Sequence, residues 1–223
     1  MTQTYTALVT GGSRGIGVGV VASLRAGGWK VLAPARDELD LSAPASIAGF
    51  LENLGEHIDG LVFSAGINKP APIGELTMAD WQAINGVNST SSFALVSALC
   101  PAMASAGFGR VVGISSAYAN RARAGRAAYS ASKAALEGLI RTVAVEFAGS
   151  GVVANCVAPG FVDTELTRMN NTPQMIDALL QRVPVGRLAS PAEIGRAVAF
   201  LMAPENEYIT GQTIAVDGGF ACT

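Results

Sequence analysis

The chain has 223 residues, half of them hydrophobic and 14% charged, with a formal net charge of −2 at pH 7. That length and apolarity fit one large domain with a sizeable core, and the weak charge argues against a nucleic-acid binder, which carries a basic face. Cys100, Cys156 and Cys222 are odd in number and far apart, which argues against a disulfide framework and for a reducing cytoplasm.

In chain order, an apolar strand is predicted at 7–10, with no basic leader before it. Residues 16–26 read as the helix after it, and 30–33 as a second strand. Only a short stretch around Arg36-Asp37-Glu38 then precedes Asp40-Leu41-Ser42. A parallel crossover needs about a dozen residues or more, so a full strand-helix-strand unit does not fit. Either a third strand survives in shortened form, or the chain runs along the sheet edge into a helix beginning near Ala43-Pro44. Residues 60–64 form a further strand, 79–106 a long helix, 110–115 a strand and 128–147 a helix. A strand at 152–157, a helix at 191–202 and a strand at 213–216 close the series.

Short apolar runs alternating with helices predict an α/β fold of three layers. The expected core is a doubly wound Rossmann-type parallel sheet, with the helix before the third strand missing. No linker or repeat divides the chain, so a single domain is expected over 1–223. No apolar run reaches the ~18 residues of a membrane span, so no membrane partner is expected. A lone histidine, His57, and scattered cysteines make a metal site unexpected.

Two motifs carry chemistry. Gly11, Gly15 and Gly17 lie between the first strand and its helix, in Thr10-Gly-Gly-Ser-Arg-Gly-Ile-Gly17. Glycines there permit positive φ and close backbone approach, and the helix N-terminus favours a pyrophosphate. A plain structural turn is the bland alternative, and the strand-loop-helix context argues against it. Downstream, Tyr129 and Lys133 stand four residues apart, on one helical face. A phenol titrates near 10, and a neighbouring ammonium favours the phenolate, making it a usable acid or base.

Several motifs, in order, resemble those of the short-chain dehydrogenase/reductase family over nearly the whole chain. The TGxxxGIG spacing is the family's form of the loop. Phe63-Ser-Ala-Gly66 stands where the family has Asn-Asn-Ala-Gly, so Phe63 and Ser64 depart from its pattern. Asn88 follows Trp81 at the usual distance, and Ser116 lies thirteen residues before Tyr129. Pro159-Gly160, Val162-Asp163-Thr164 and Asp217-Gly218-Gly219 complete the series.

The resemblance implies four catalytic roles. Tyr129 exchanges a proton with the carbonyl oxygen as hydride passes to or from the cofactor. Lys133 lowers the tyrosine pKa and holds the nicotinamide ribose. Ser116 donates a hydrogen bond to the developing alkoxide. Asn88 anchors a water in the relay from Lys133. The resemblance also implies a cofactor held by Gly11, Ser13, Arg14, Gly15, Ile16 and Gly17, and by Arg36, Asp40 and Leu41 around the adenosine. Ala65, Gly66, Tyr129, Lys133, Pro159, Gly160, Val162 and Thr164 continue that site to the nicotinamide. Ala35, not an acid, stands where NAD-preferring members carry one, and Arg14 and Arg36 suit a 2′-phosphate. NADP(H) is therefore expected ahead of NAD(H), with Asp37 and Glu38 as opposing charges.

Between Ser116 and Tyr129 lie Tyr118, Arg121, Arg123 and Arg126. They predict a polar or anionic small-molecule substrate: an oxo acid, a sugar-like ketone or a β-ketoacyl thioester. Surface or subunit salt bridges are the alternative use of these charges. In the family the region 165–187, with Met169 and Met175, covers the substrate. The expected activity is an NADPH-dependent ketone–alcohol oxidoreductase; a non-turnover NADP sensor is the rival. Small residues on the two long helices, including Ala134, Ala135, Gly138 and Ala144, fit the family's pairing into homodimers or homotetramers.

Overall fold

A computed structural model describes residues 4–222. Six strands form one parallel sheet: β1 (Thr6–Thr10), β2 (Lys30–Leu32), β3 (Gly60–Phe63), β4 (Gly109–Ile114), β5 (Val152–Pro159) and β6 (Thr213–Val216). Their spatial order is β2-β1-β3-β4-β5-β6, and every neighbouring pair is parallel. β1, β3, β4 and β5 are buried throughout, as apolar strands covered on both faces must be.

Side chains along each strand alternate between two cores. Leu8, Leu61 and Val111 point to one face, where they meet α2 (Pro44–Glu52), α4 (Ser91–Ala106) and α5 (Ala127–Phe147) through Ile47, Leu95, Leu136 and Ile140. Ala7, Val9, Val62 and Val112 point to the other. There they meet α1 (Gly15–Ala26) and α8 (Pro191–Met202) through Val20, Leu24, Ile194 and Val198. α1 and α8 touch through glycines: a Cβ on Gly195 would stand 2.2 Å from the Gly19 carbonyl oxygen. Because α1 and α2 cover opposite faces, the chain changes direction across the sheet between β1 and β3. A crevice opens at their carboxyl ends, where ligands bind in open α/β sheets.

Of the shortened third strand nothing is present among the described residues; the chain takes the second of the two expected routes. After β2 it spends its length on turns, with the Leu39 amide bonded to the Ala35 carbonyl and the Ala43 amide to that of Asp40. Leu39, 5% exposed, pins this path into the core, and β2 is left as an edge strand.

The long predicted helix is also interrupted. α3 (Met78–Asn85) passes into a π-helical turn at Gly86–Thr90 before α4 begins. Helices α6 (Glu165–Met169) and α7 (Pro173–Leu180) complete the molecule. By length and composition alone, Met78–Ala106 could cross a membrane, at a mean hydropathy of 1.2. Its inward residues Leu95, Val96, Cys100 and Met103 are packed in the sheet core.

Candidate active site

The glycine loop closes tightly at the end of β1. Gly11 and Gly15 have φ of +67° and +52°, a region that penalises any Cβ. A Cβ on Gly17 would stand 2.0 Å from the Gly11 carbonyl oxygen, and one on Gly11 would stand 2.7 Å from Ala65 Cα. The loop therefore folds back on the first turn of α1 and lies against the end of β3. α1 begins with no side-chain cap and no acidic residue in its first turn, leaving amide N–H groups for an anion. Thr164 Cγ2 lies 3.4 Å from the Cβ position of Gly15, so Thr164 closes on the loop from the β5 side. This backbone cradle fits a dinucleotide pyrophosphate, bringing Ser13, Ile16, Ala65 and Gly66 alongside.

The corner past β2, where the adenosine is expected, is more mixed. Arg14 and Arg36 are both more than four-fifths exposed, and each faces a carboxylate: Glu165 at 3.7 Å and Asp40 at 3.4 Å. Asp40 is held below the ordinary carboxyl pKa, first by the Ser42 hydroxyl and then by the Ser42 amide, with Arg36 adding less. Glu38 accepts from the Ala35 amide at 2.7 Å, which places a carboxylate just past β2. Leu41 packs against the core from this corner. Ser64 Oγ is buried with no hydrogen-bond partner at the position where it departs from the family pattern.

Ser116, Tyr129 and Lys133 meet at the carboxyl end of β4. Ser116 caps a short turn at Ala117–Ala119; its Oγ accepts from the Tyr118 amide at 3.1 Å and keeps its own proton to donate. Lys133, 3% exposed, donates to the Ile114 carbonyl at 2.7 Å, with its Nζ 6.0 Å from the Tyr129 ring centroid. Asn88 sits in the π turn and is 1% exposed. It accepts from the Ile67 amide at 2.8 Å and donates to the Ile67 carbonyl and to Ser132 Oγ. Ser132 in turn donates to the Tyr129 carbonyl at 2.8 Å. A Cβ at Gly66 would stand 3.4 Å from Lys133 Nζ and 3.5 Å from Asn88 Oδ1, so both converge on that glycine.

Burial dominates the electrostatics. It pushes the Lys133 ammonium down to about 8. It pushes the Tyr129 phenol up, against the Ser116 hydroxyl and the Arg126 charge, which favour the phenolate. The expected lowering of Tyr129 by Lys133 does not appear among these influences in the protein alone: burial outweighs Ser116 and Arg126.

Residues that the motif reading passed over complete the site. Glu137, one turn beyond Lys133 and 3% exposed, accepts from Ser115 Oγ at 2.6 Å and from Asn120 Nδ2 at 3.2 Å. It braces the strand end and the loop that carries Ser116. Its i+4 spacing from Lys133 was the available signal. A cleft opens beside Ser116 and Tyr129, walled by Tyr118, Phe161 and Phe220 and by Leu166 and Asn171 near α6. The three aromatic rings meet edge to face, with centroids 5.0 to 6.2 Å apart. Of the predicted substrate residues, Tyr118 and Arg123 line this cleft. Arg121 does not: it donates to the Phe220 carbonyl and stacks over that ring, so it supports the wall from behind.

Residues 33–221 match the family described as Enoyl-(Acyl carrier protein) reductase. A 3-oxoacyl-[acyl-carrier-protein] reductase of Salmonella typhimurium is 39% identical over 235 residues, covering 96% of either chain. An acetoacetyl-CoA reductase of Shinella zoogloeoides is 36% identical over 234 residues, covering 96% of this chain and 97% of that one. A gluconate 5-dehydrogenase from Burkholderia cenocepacia J2315, solved in complex with NADP and tartrate, superposes with a TM-score of 0.92 at 30% identity. That match covers 98% of this chain and 96% of the other.

Proposed function

Because the chain belongs to the short-chain dehydrogenase/reductase family, whose members are NAD(P)-dependent enzymes of the alcohol–carbonyl interconversion, we propose that it reduces a small-molecule ketone with NADPH and runs the reverse oxidation. The observation that carries this reading is that Ser116 and Tyr129 line one cleft, with Lys133 Nζ 6.0 Å from the Tyr129 ring centroid and 3.4 Å from the Cβ position of Gly66.

When bound, the nicotinamide supplies or receives a hydride at carbon. The chain's own residues handle the rest. Ser116, its oxygen lone pair engaged by the Tyr118 amide, points its proton at the substrate carbonyl and favours the alkoxide as charge develops. Tyr129 delivers the proton to that oxygen, or removes it in reverse. The raised phenol pKa keeps Tyr129 protonated for reduction. Lys133, anchored on the Ile114 carbonyl, has two further N–H donors for ribose hydroxyls. Once those are ordered, its charge favours the phenolate left after transfer, and Asn88, held by Ile67 and Ser132, would anchor the water of the relay that returns the proton. In this reading Gly11, Ser13, Gly15, Ile16 and Gly17 hold the pyrophosphate, Asp40 and Leu41 the adenine side, and Pro159, Gly160, Val162 and Thr164 the nicotinamide side.

NADP(H) is supported by Arg14 and Arg36 and by the NADP bound to the B. cenocepacia relative. The Glu38 carboxylate past β2 favours NAD(H) as a second reading. The chain is read as one catalytic domain, a homodimer or homotetramer paired through α4 and α5, working in the cytoplasm. The test is the purified protein with NADPH, NADH and a panel of ketones, followed by cofactor absorbance. Turnover with a higher kcat/KM for NADPH supports the reading. Cofactor binding with no oxidation of either cofactor establishes the sensor instead.

A further inference from the structure

Arg126 differs from the other two arginines before Tyr129. Arg121 is committed to Phe220, and Arg123 donates to the Tyr118 hydroxyl at 2.9 Å. Arg126 is 7% exposed, yet among the described residues its guanidinium meets no hydrogen-bond acceptor and no carboxylate. It lines the cleft beside Ser116 and Tyr129. No Asp or Glu lines that cleft, whereas Arg123 and Arg126 both do. A guanidinium cannot shed its proton at neutral pH, and a buried charge without a counter-ion is unfavourable. Burial and the neighbouring Arg123 charge both act against the Arg126 cation. An anion entering the cleft relieves both. Two further groups in the cleft lack partners among the described residues: Asn68 Oδ1 and Asn171 Oδ1 are buried acceptors with no donor there.

We propose that Arg126, with Arg123 beside it, seats a substrate carboxylate, so that the carbonyl presented to Tyr129 belongs to a short, hydroxylated oxo acid. Arg126 precedes Tyr129 by three residues at the start of α5, about one helical turn. A ligand a few carbons long therefore spans both. The planar fork of Arg126 suits a carboxylate, and the hydroxyls donate to Asn68 and Asn171. A carrier-bound acyl thioester has no carboxylate at this place and leaves Arg126 unpaired. The inference rests on the carbonyl-reductase reading above.

The test compares 4-oxopentanoate and 5-oxogluconate, each against its methyl ester, and an acetoacetyl thioester of N-acetylcysteamine, in the wild type, Arg126→Gln and Arg126→Lys. The wild type is expected to favour each acid over its ester by about tenfold or more in kcat/KM. Arg126→Gln brings that ratio near one, and Arg126→Lys keeps part of it. Equal wild-type use of acid and ester, or a thioester used better than either acid, overturns the proposal. So does an equal loss on acid and ester in Arg126→Gln, which marks a structural role. If Arg126→Gln does not fold, the wild-type and Arg126→Lys ratios decide. If no carbonyl is turned over, the carbonyl-reductase reading fails on its own. The carboxylate seat is then decided by whether succinate raises the melting temperature of the NADP-loaded wild type more than that of Arg126→Lys.

Discussion

Tyr129 works in a setting that keeps its phenol protonated in the protein alone, since burial raises its pKa. Tyr129→Phe removes the proton at the reacting oxygen while keeping the ring, and is expected to lower kcat by about a thousandfold or more. Ser116→Ala removes one alkoxide donor and is expected to cost about a hundredfold. Retention of more than a tenth of wild-type turnover in Tyr129→Phe would place the proton transfer elsewhere. Lys133 makes a separate prediction about stability. Its pKa falls from 10.5 to about 8 on folding. Between those values the unfolded chain binds a proton that the folded chain has released, so stability rises with pH across that window. Below it, the folded state carries a cost of about 3 kcal/mol at 1.36 kcal/mol per unit. The melting temperature of the wild type relative to Lys133→Met should therefore increase between pH 7 and 9.5. Parallel profiles would show that Lys133 does not titrate there.

At the scale of elements, glycines decide which helices can approach. A Cβ on Gly195 meets backbone of α1 at 2.2 Å, with no flexible atom to yield. Gly195→Ala is expected to destabilise by about 2–3 kcal/mol, lowering the melting temperature by ~5–10 °C. Gly49, inside α2, has nothing within 4 Å of its Cβ position. Gly49→Ala is expected to stabilise by about 0.5–1 kcal/mol, because alanine loses less backbone freedom on folding. Calorimetry on the pair checks both signs. The π turn at Gly86–Thr90 is the other decisive element. It widens the helix where Asn88 leaves it to bridge Ile67 and Ser132, a common use of such turns at functional sites.

Over the whole molecule, the helical layer of α4 and α5 is only partly covered. Phe93 on α4 is 60% exposed and Val145 on α5 is 84% exposed. Large exposed apolar side chains on adjoining helices fit an interface between subunits. Phe93→Asp together with Val145→Asp should lower the sedimenting mass at micromolar concentration if the proposed pairing is right. An unchanged mass would move the interface elsewhere. The same view explains the open edge at β2: with no third strand among the described residues, pairing stops there and the corner past β2 is built from turns.

The alternation of apolar runs and helices, the glycine loop and the Tyr129–Lys133 spacing were legible because they are local. Periodicity and short spacings follow from backbone geometry, which each segment carries within itself. The same locality hid the π turn, since one extra residue in a helical turn leaves an apolar pattern almost unchanged. It also hid charge environment. In the sequence Arg121, Arg123 and Arg126 are three equal cations; only packing commits the first to Phe220, pairs the second with Tyr118 and buries the third beside Tyr129. Arg14 and Arg36 likewise acquire carboxylate neighbours only when distant segments meet. The sequence by itself determined the sheet, the glycine loop and the Tyr129–Lys133 pair. The tertiary structure alone decided which charges are spent and which line the cleft, because desolvation and pairing depend on atoms far apart along the chain.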